Sequence, residues 1–111
     1  MSTEWYEADL VIGLVAGKWV TRLMKALEPG PLRYSRLLRA VPGISSGALA
    51  GTLRRMEEAG LVVRQVSVDE VPPAVSYELT GPARELLVAL TPLARWGRLH
   101  MRDAPAGPSG C

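Results

Sequence analysis

The sequence lacks several features on which disulfide formation, metal binding and membrane insertion depend. Its 111 residues include one cysteine and one histidine, which excludes an internal disulfide and a zinc site built from cysteines. No apolar run approaches the roughly 18 residues of a membrane-spanning helix. The N-terminus is acidic, unlike the basic start of a secretory signal peptide. We therefore expect a cytoplasmic protein that does not enter a membrane.

Combinations of residues that support catalysis are also missing. The chain has no nucleophile–base motif, no glycine-rich phosphate loop and no cluster of metal-ligating residues around His100. Asp69 and Glu70 are adjacent carboxylates, a pattern that can indicate acid–base chemistry or a divalent cation. No histidine or further acid lies near them in the sequence. The sequence thus predicts a protein that is not an enzyme and binds no metal or cofactor.

The chain has the composition of one folded domain. Hydrophobic residues make up 48% of it, enough for a single core. We predict that the domain spans residues 1–103. Residues 104–111 are rich in glycine and proline, and we predict a disordered tail there. Cys111 lies on this tail without cationic neighbours that would activate its thiol.

Positive charge is concentrated in the middle of the chain, although the net charge is only +2. Residues 18–66 contain nine lysine or arginine residues and three acids, whereas residues 1–17 contain three acids and no lysine or arginine. This distribution is typical of a face that binds phosphate groups. An arginine-rich surface that only contacts water would give the same pattern.

The outer parts of the chain have the periodicity of helices. Apolar residues recur at helical spacing in residues 4–15 and 18–28, and again after Thr80. Pro92 interrupts the last of these segments. It predicts a kink or a break, with Thr91 as the cap of a new helix.

The middle of the chain predicts the order helix, turn, helix, strand, turn, strand. The sequence predicts a helix over about residues 34–41, which begins one residue later if Ser35 is its cap. A second helix, capped by Ser45 or Ser46, ends near residue 59. Residues 61–66 and 74–79 then predict the two strands of a hairpin. This order is the outline of a winged helix-turn-helix, whose second helix enters the major groove of DNA.

The second helix of this unit has a clear apolar face. Leu49, Leu53 and Met56 are spaced at i, i+4 and i+7, which places them on one side of a helix. We therefore predict that these three side chains are buried and that the opposite side faces outward.

Short motifs at regular intervals extend the pattern over most of the chain. They are Gly17-Lys18-Trp19, Leu27, the segment 30–34, Leu37, Pro42-Gly43-Ile44-Ser45, Leu49, Leu53, Arg54, Glu57, the segments 60–62 and 70–73, Val75, the segment 77–80 and Trp96-Gly97. In this order they resemble the HxlR-type winged-helix transcription regulators. The resemblance implies a mainly α-helical fold with a small β-hairpin wing and extra N- and C-terminal dimerisation helices.

The resemblance also implies a function. Proteins of this type are small bacterial homodimers that bind double-stranded DNA, and many respond to a chemical signal. Three positions depart from the family pattern. Tyr6 and Glu7 stand where many members carry a redox-sensing cysteine, Ser46-Gly47 replaces a proline and a basic residue, and Ala74 replaces an arginine of the wing. These departures remove the thiol switch and reduce the groups available to contact DNA.

We expect DNA contacts from the outer side of the second helix, from its flanks and from the wing. Arg55, followed by Arg54, is the candidate for a forked contact with guanine. Serine and threonine can bind phosphates or bases, and alanine can touch a thymine methyl group. Flanking arginines suit phosphate groups. The expected residues are Arg33, Tyr34, Arg36, Ser45, Ser46, Gly47, Ala48, Ala50, Thr52, Arg54, Arg55, Arg64, Ser67 and Ser76.

Aromatic residues and methionines on the helices assigned to dimerisation have the composition of a pocket for a flat organic ligand. Side chains of these types on apolar helix faces are also typical of an ordinary core. The residues are Trp5, Tyr6, Trp19, Met24, Trp96, His100 and Met101. We expect them at a dimer interface, where a small organic effector would bind.

Two functions therefore remain open. The first is a sequence-specific, DNA-binding transcriptional regulator that acts as a homodimer and is controlled by a ligand at the dimer interface. The alternative is a winged-helix protein repurposed for small-molecule or protein binding, with weak or lost DNA binding. The uncharged start of the recognition helix and the acidic wing tip favour this alternative.

Overall fold

The computed structural model describes residues 3–101, except for the side chains of Thr3 and Glu4. The predicted tail at residues 104–111, with Cys111, lies outside the described residues. Within the described range the elements are α1 (Thr3–Val15), α2 (Val20–Leu27), β1 (Leu32–Arg33), α3 (Tyr34–Ala40), α4 (Ser46–Glu58), β2 (Val62–Ser67), β3 (Ala74–Leu79) and α5 (Gly81–His100). The predicted fold class, mainly α with a β-hairpin wing, is confirmed.

The core lies where α2, α3 and α4 meet the sheet. Its largest fully buried side chains are Val20, Leu23, Met24, Leu27, Leu37, Leu49, Leu53, Met56 and Val62. The three α4 residues that were predicted to be buried are among them, which confirms the orientation of that helix. Met24 was assigned to a ligand pocket, and this assignment is wrong, because its side chain is 0% exposed within the core.

Three antiparallel strands form one sheet in the order β1-β3-β2. The hairpin pairs Val62 with Leu79 at its base and Ser67 with Ala74 near its tip. β1 joins the other edge, with Arg33 opposite Ser76. The sequence did not predict β1, since two residues are too short for a recognisable alternation. This short strand holds Arg33 beside the wing.

The predicted start of α3 at Tyr34 is confirmed, but the predicted cap is wrong. The helix begins at Tyr34, and the preceding Arg33 has extended backbone with no side-chain cap. Ser35 therefore lies inside the helix and does not cap it. The reason is that pairing of β1 with β3 keeps Arg33 extended, so the helix begins immediately after it.

Both ends of α4 follow the sequence. The Ser45 hydroxyl oxygen accepts a hydrogen bond from the Ala48 N–H at 3.0 Å, which is the geometry of an N-cap. Gly60 follows the C-terminal end of α4 and has φ +77°, a backbone conformation that residues with a Cβ atom rarely adopt. Gly43, in the turn before α4, has φ +86° and so also occupies a position that favours glycine.

The last helix is continuous through Pro92, so the predicted break and the second cap are wrong. Thr91 does not cap a new helix, because its hydroxyl donates to the Leu87 carbonyl one turn earlier, at 3.1 Å. Pro92 lacks a backbone N–H donor, but the backbone hydrogen bonds of the other residues maintain α5 as one helix. Its start is secured by Thr80, whose hydroxyl oxygen accepts from the Ala83 N–H at 3.2 Å. Among the described helices, none is long and apolar enough to cross a membrane.

Candidate nucleic-acid interface

The outer face of α4 carries the side chains that are best placed to contact DNA. Gly47, Ala50 and Arg54 are exposed and recur at helical spacing on the side away from the buried Leu49 and Met56. Ser45 and Ser46 are exposed at the start of the helix, whereas Ala48 is half-buried on its flank. This face combines a small, closely approachable surface with one arginine.

Thr52 does not belong to this face. It was predicted to contact DNA, but it is 4% exposed. Thr52 lies three residues after Leu49, which brings it to the buried side of the helix. The prediction for this residue is therefore wrong, and its hydroxyl is not available to a duplex.

Tyr34 connects the two helices of the helix-turn-helix. Its hydroxyl donates to the Ser46 carbonyl at 2.7 Å and lies 2.9 Å from the Ser46 hydroxyl oxygen. The tyrosine is half-buried at the start of α3. The sequence assigned Tyr34 to a phosphate group, whereas its hydroxyl positions the N-terminus of α4.

Replacing Tyr34 by phenylalanine should therefore weaken DNA binding through the position of α4. The ring stays in place and two hydrogen-bonding contacts are lost. We expect unfolding to become easier by about 0.5–1.5 kcal/mol, with a matching loss of protection from amide exchange at the first turn of α4. Serine at position 35 is exposed on the same helix, and Ser35→Ala serves as the control. Unchanged exchange in the tyrosine variant would contradict this role.

Arg33 is paired with an acid of the wing. Its guanidinium Nη2 donates to Oε1 of Glu70, and the two side chains form one of the ion pairs of the described region. The sequence assigned Arg33 to a phosphate group and gave Glu70 no partner. The pairing was not apparent because 37 residues separate the two positions.

The two neighbouring arginines of α4 point to different surroundings. Arg54 lies on the outer face with an exposed side chain. Arg55 lies on the flank, against the turn between α1 and α2, where a Cβ atom at Gly17 would be 3.1 Å from its Nη2. Arg54 is therefore better placed than Arg55 for a forked contact with a base, which reverses the order that the sequence suggested.

Trp19 is surrounded by cations. The Lys18 ammonium lies 4.8 Å and the Arg22 guanidinium carbon 5.3 Å from its ring centroid. Its indole packs at the turn before α4, 4.0 Å from where a Cβ atom at Gly43 would lie. Trp19 was expected to line a ligand pocket, but its side chain packs against the turn of the helix-turn-helix. The motif Gly17-Lys18-Trp19 was the only signal for this cluster, and Lys18 and Arg22 were not among the expected contacts.

The expected wing contacts do not converge on one face. Arg64 lies opposite Tyr77, whereas Ser76 lies opposite Gln65. Cross-strand partners share a face of the sheet and successive residues alternate. Arg64 therefore shares the face of the buried Tyr77, while Ser67 and Ser76 lie on the other face. Arg64 is exposed and the two serines are half-buried. Arg36 is exposed on α3.

The residues expected to bind a ligand are dispersed. Trp5 and Tyr6 are exposed on α1, and the Trp96 ring contacts His100 on α5 at a centroid distance of 4.9 Å. Met101 is exposed just after that helix. A groove of about 600 Å³ lies between α2 and α5, and none of the seven expected residues lines it. Its lining residues are Thr21, Lys25, Leu87, Leu90, Thr91, Leu93, Ala94, Arg95 and Arg98.

Comparison with known protein families gives a match over residues 14–105 to the HxlR-like helix-turn-helix family. A protein from Methanothermobacter thermautotrophicus strain Delta H, named an uncharacterized HTH-type transcriptional regulator, is 35% identical over 92 residues, which cover 83% of this chain and 70% of the relative. The regulator YkvN from Bacillus subtilis 168, also named uncharacterized, is 38% identical over 84 residues, covering 76% and 70% of the two chains.

Solved structures of transcriptional regulators have a similar fold. A protein from Enterococcus faecalis V583, described as a transcriptional regulator of the MarR family, superposes with a TM-score of 0.82 at 35% identity and covers 92% of each chain. The redox regulator HypR in its reduced form superposes with a TM-score of 0.78 at 29% identity, covering 86% of this chain and 94% of its own.

Proposed function

We propose that this chain, which belongs to the HxlR-like helix-turn-helix family of transcriptional regulators, binds a specific duplex DNA sequence as a homodimer. Members of the family are regulators and not enzymes, as the sequence indicated. The observation that carries the proposal is the exposed outer face of α4, with Arg54 at its centre and a first turn held by Ser45 and Tyr34. A helix presented in this way fits the major groove.

The proposed contacts divide into two groups. Base contacts come from the outer face and first turn of α4, and phosphate contacts come from cations around them. Ser45, Ser46, Gly47, Ala48, Ala50 and Arg54 form the first group. Arg33, Arg36, Arg55, Arg64, Lys18 and Arg22 form the second group, with smaller contributions from Tyr34, Ser67 and Ser76.

Exposed apolar side chains support the homodimer. Trp5, Leu10 and Ile12 on α1 and Trp96 and Leu99 on α5 are each more than half exposed. Apolar patches of this kind on both terminal helices are typical of protein–protein interfaces. A two-fold dimer would place its recognition helices about 34 Å apart, in successive turns of the major groove.

The DNA-binding proposal is tested by fluorescence anisotropy with the duplex upstream of its own gene. We expect specific binding with a Kd of about 10⁻⁸ M or below at physiological salt, at least about 1,000-fold tighter than binding to an unrelated duplex of equal length. A stable dimer that binds neither duplex at low salt would instead support the second candidate function.

That second candidate is a winged helix that binds a small molecule or a protein in place of DNA. Two observations favour it. Ser46 and Gly47 leave the first turn of α4 without a cation, and Glu70 occupies the guanidinium of Arg33. Retention of cellular function in an Arg54→Ala and Arg55→Ala double variant would select this function.

Replacing Trp96 by aspartate should break the homodimer. A charge in the middle of a buried apolar interface is costly, and Trp96 is 55% exposed in the single chain. We expect sedimentation equilibrium to show mainly monomer at micromolar concentration, with unchanged helix content by circular dichroism. Val68→Asp, at an exposed position in the turn of the wing, is the control and should remain dimeric. A dimeric Trp96→Asp variant would place the interface elsewhere.

We also propose that a small organic effector controls the dimer. The Trp96–His100 ring contact and the apolar groove between α2 and α5 provide surfaces that a flat ligand can use. A ligand that shifts Trp96 fluorescence and lowers DNA affinity in the same concentration range would support this control. A regulator of this family works where the chromosome is, so we propose that it acts in the cytoplasm of a prokaryotic cell.

A further inference from the structure

We propose that Glu70 at the wing tip is an internal competitor of DNA. In the DNA-free protein, its carboxylate occupies the Arg33 guanidinium that a backbone phosphate takes in the complex. This inference rests on the proposed DNA-binding function. It assigns Glu70 a role in setting DNA affinity, whereas a carboxylate at the wing tip would otherwise only repel phosphate groups.

The position of Arg33 makes such a competition possible. β1 pairs with β3 and holds the arginine at the edge of the sheet, immediately before the first residue of α3. The first helix of a helix-turn-helix crosses the DNA backbone, and Arg33 lies directly before this helix. Arg33 and Glu70 both line a groove of about 480 Å³ between the wing and the start of α3.

A carboxylate and a phosphate can replace each other as partners of the Arg33 guanidinium. A guanidinium donates parallel hydrogen bonds to a carboxylate and to a phosphate in the same way. In the structure, the Arg33 Nη2 donates to Oε1 of Glu70. A phosphate that arrives at Arg33 therefore replaces one oxygen acceptor by another.

The exposure of the pair makes the exchange easy. The side chains of Arg33 and Glu70 are 55% and 43% exposed, so water and salt weaken their attraction. Such an ion pair lowers DNA affinity by a modest factor and does not prevent binding. It also becomes weaker as the salt concentration rises, so its effect is largest at low ionic strength.

The neighbouring Asp69 supplies a matched comparison. It is an exposed acid in the same turn, and among the described residues it makes no ion pair within 4.0 Å. Both carboxylates repel an approaching phosphate, but only Glu70 occupies an arginine. A difference between variants of the two positions therefore measures the competition apart from the general repulsion.

The test measures binding of the full-length protein to a specific and to a nonspecific duplex, because phosphate contacts do not depend on sequence. Glu70→Gln is expected to raise affinity for both duplexes by a further two- to five-fold or so at low salt, relative to Asp69→Asn. The additional gain should shrink as salt is added. In an Arg33→Gln background, Glu70→Gln should have no more effect than Asp69→Asn, as a double-mutant cycle requires.

Each other result has a distinct meaning. If Glu70→Gln binds more weakly than the unmodified protein, the pair organises the wing and the competition is overturned. Equal gains from Glu70→Gln and Asp69→Asn, or a gain that survives Arg33→Gln, overturn it as well while leaving DNA binding intact. If the unmodified protein binds both duplexes equally, the proposed sequence-specific function is rejected. The competition is then still tested by the nonspecific duplex. If no variant binds either duplex, both proposals fail.

Discussion

Replacing Arg54 by alanine is expected to weaken binding to the specific duplex by a factor of about 10 to 100. Arg54 is the exposed arginine on the outer face of α4, and a forked contact between guanidinium and guanine is among the strongest base contacts. Its neighbour Arg55 lies against the turn at Gly17. The loss should therefore be larger for Arg54→Ala than for Arg55→Ala.

The kind of DNA affinity that is lost distinguishes contacts with bases from nonspecific electrostatic attraction. Arg54→Lys keeps the charge but not the planar fork, so it should lose most of the sequence preference and little of the nonspecific affinity. Arg39→Ala removes a cation from the exposed side of α3 and controls for net charge. Anisotropy titrations with specific and unrelated duplexes measure both quantities. Equal losses for Arg54→Ala and Arg39→Ala on both duplexes would show that Arg54 does not read a base.

Replacing Leu53 by alanine should reduce the free energy of unfolding by about 2–5 kcal/mol. Leu53 is 1% exposed on the buried face of α4, in a core shared with the side chains of α2 and α3. Removing its branched end leaves a cavity that surrounding helices fill only in part. Loss of this magnitude is a large share of the stability of a small domain.

Urea denaturation measures this loss at one fixed protein concentration, since unfolding of a dimer depends on concentration. The midpoint should fall while the dependence on urea stays the same. Val68→Ala, at an exposed position in the turn of the wing, should change stability by less than about 0.5 kcal/mol. A similarly small change for Leu53→Ala would mean that the buried face of α4 has been assigned wrongly.

Much of the fold is predictable because it depends on local spacing. Leu49, Leu53 and Met56 recur at the helical period, so their burial follows from the sequence alone. The Ser45 cap and the positive φ of Gly60 follow from the conformational preferences of serine and glycine. The family motifs extended these local predictions to the order of all the main elements.

Local rules fail where another part of the chain acts on a residue. Pro92 interrupts the helical pattern, yet α5 continues because one missing donor is outweighed by the hydrogen bonds on either side of it. Ser35 has the chemistry of a cap, but pairing of β1 with β3 sets where α3 begins. Thr52 is polar and still buried, because its angular position around α4 matters more than its type.

The candidate site divides in the same way. Periodicity was sufficient to identify which side of α4 faces outward, since this depends on neighbours within a few residues. The sequence preferred Arg55 to Arg54 for a base contact, whereas the structure places Arg54 on the outer face and Arg55 on the flank. Contacts across the fold could not be read from the chain: Glu70 reaches Arg33 and Tyr34 reaches Ser46 only after the wing and the two helices have packed together. Long-range pairs of this kind depend on how the backbone brings distant residues together, and they determine which arginines remain available to DNA.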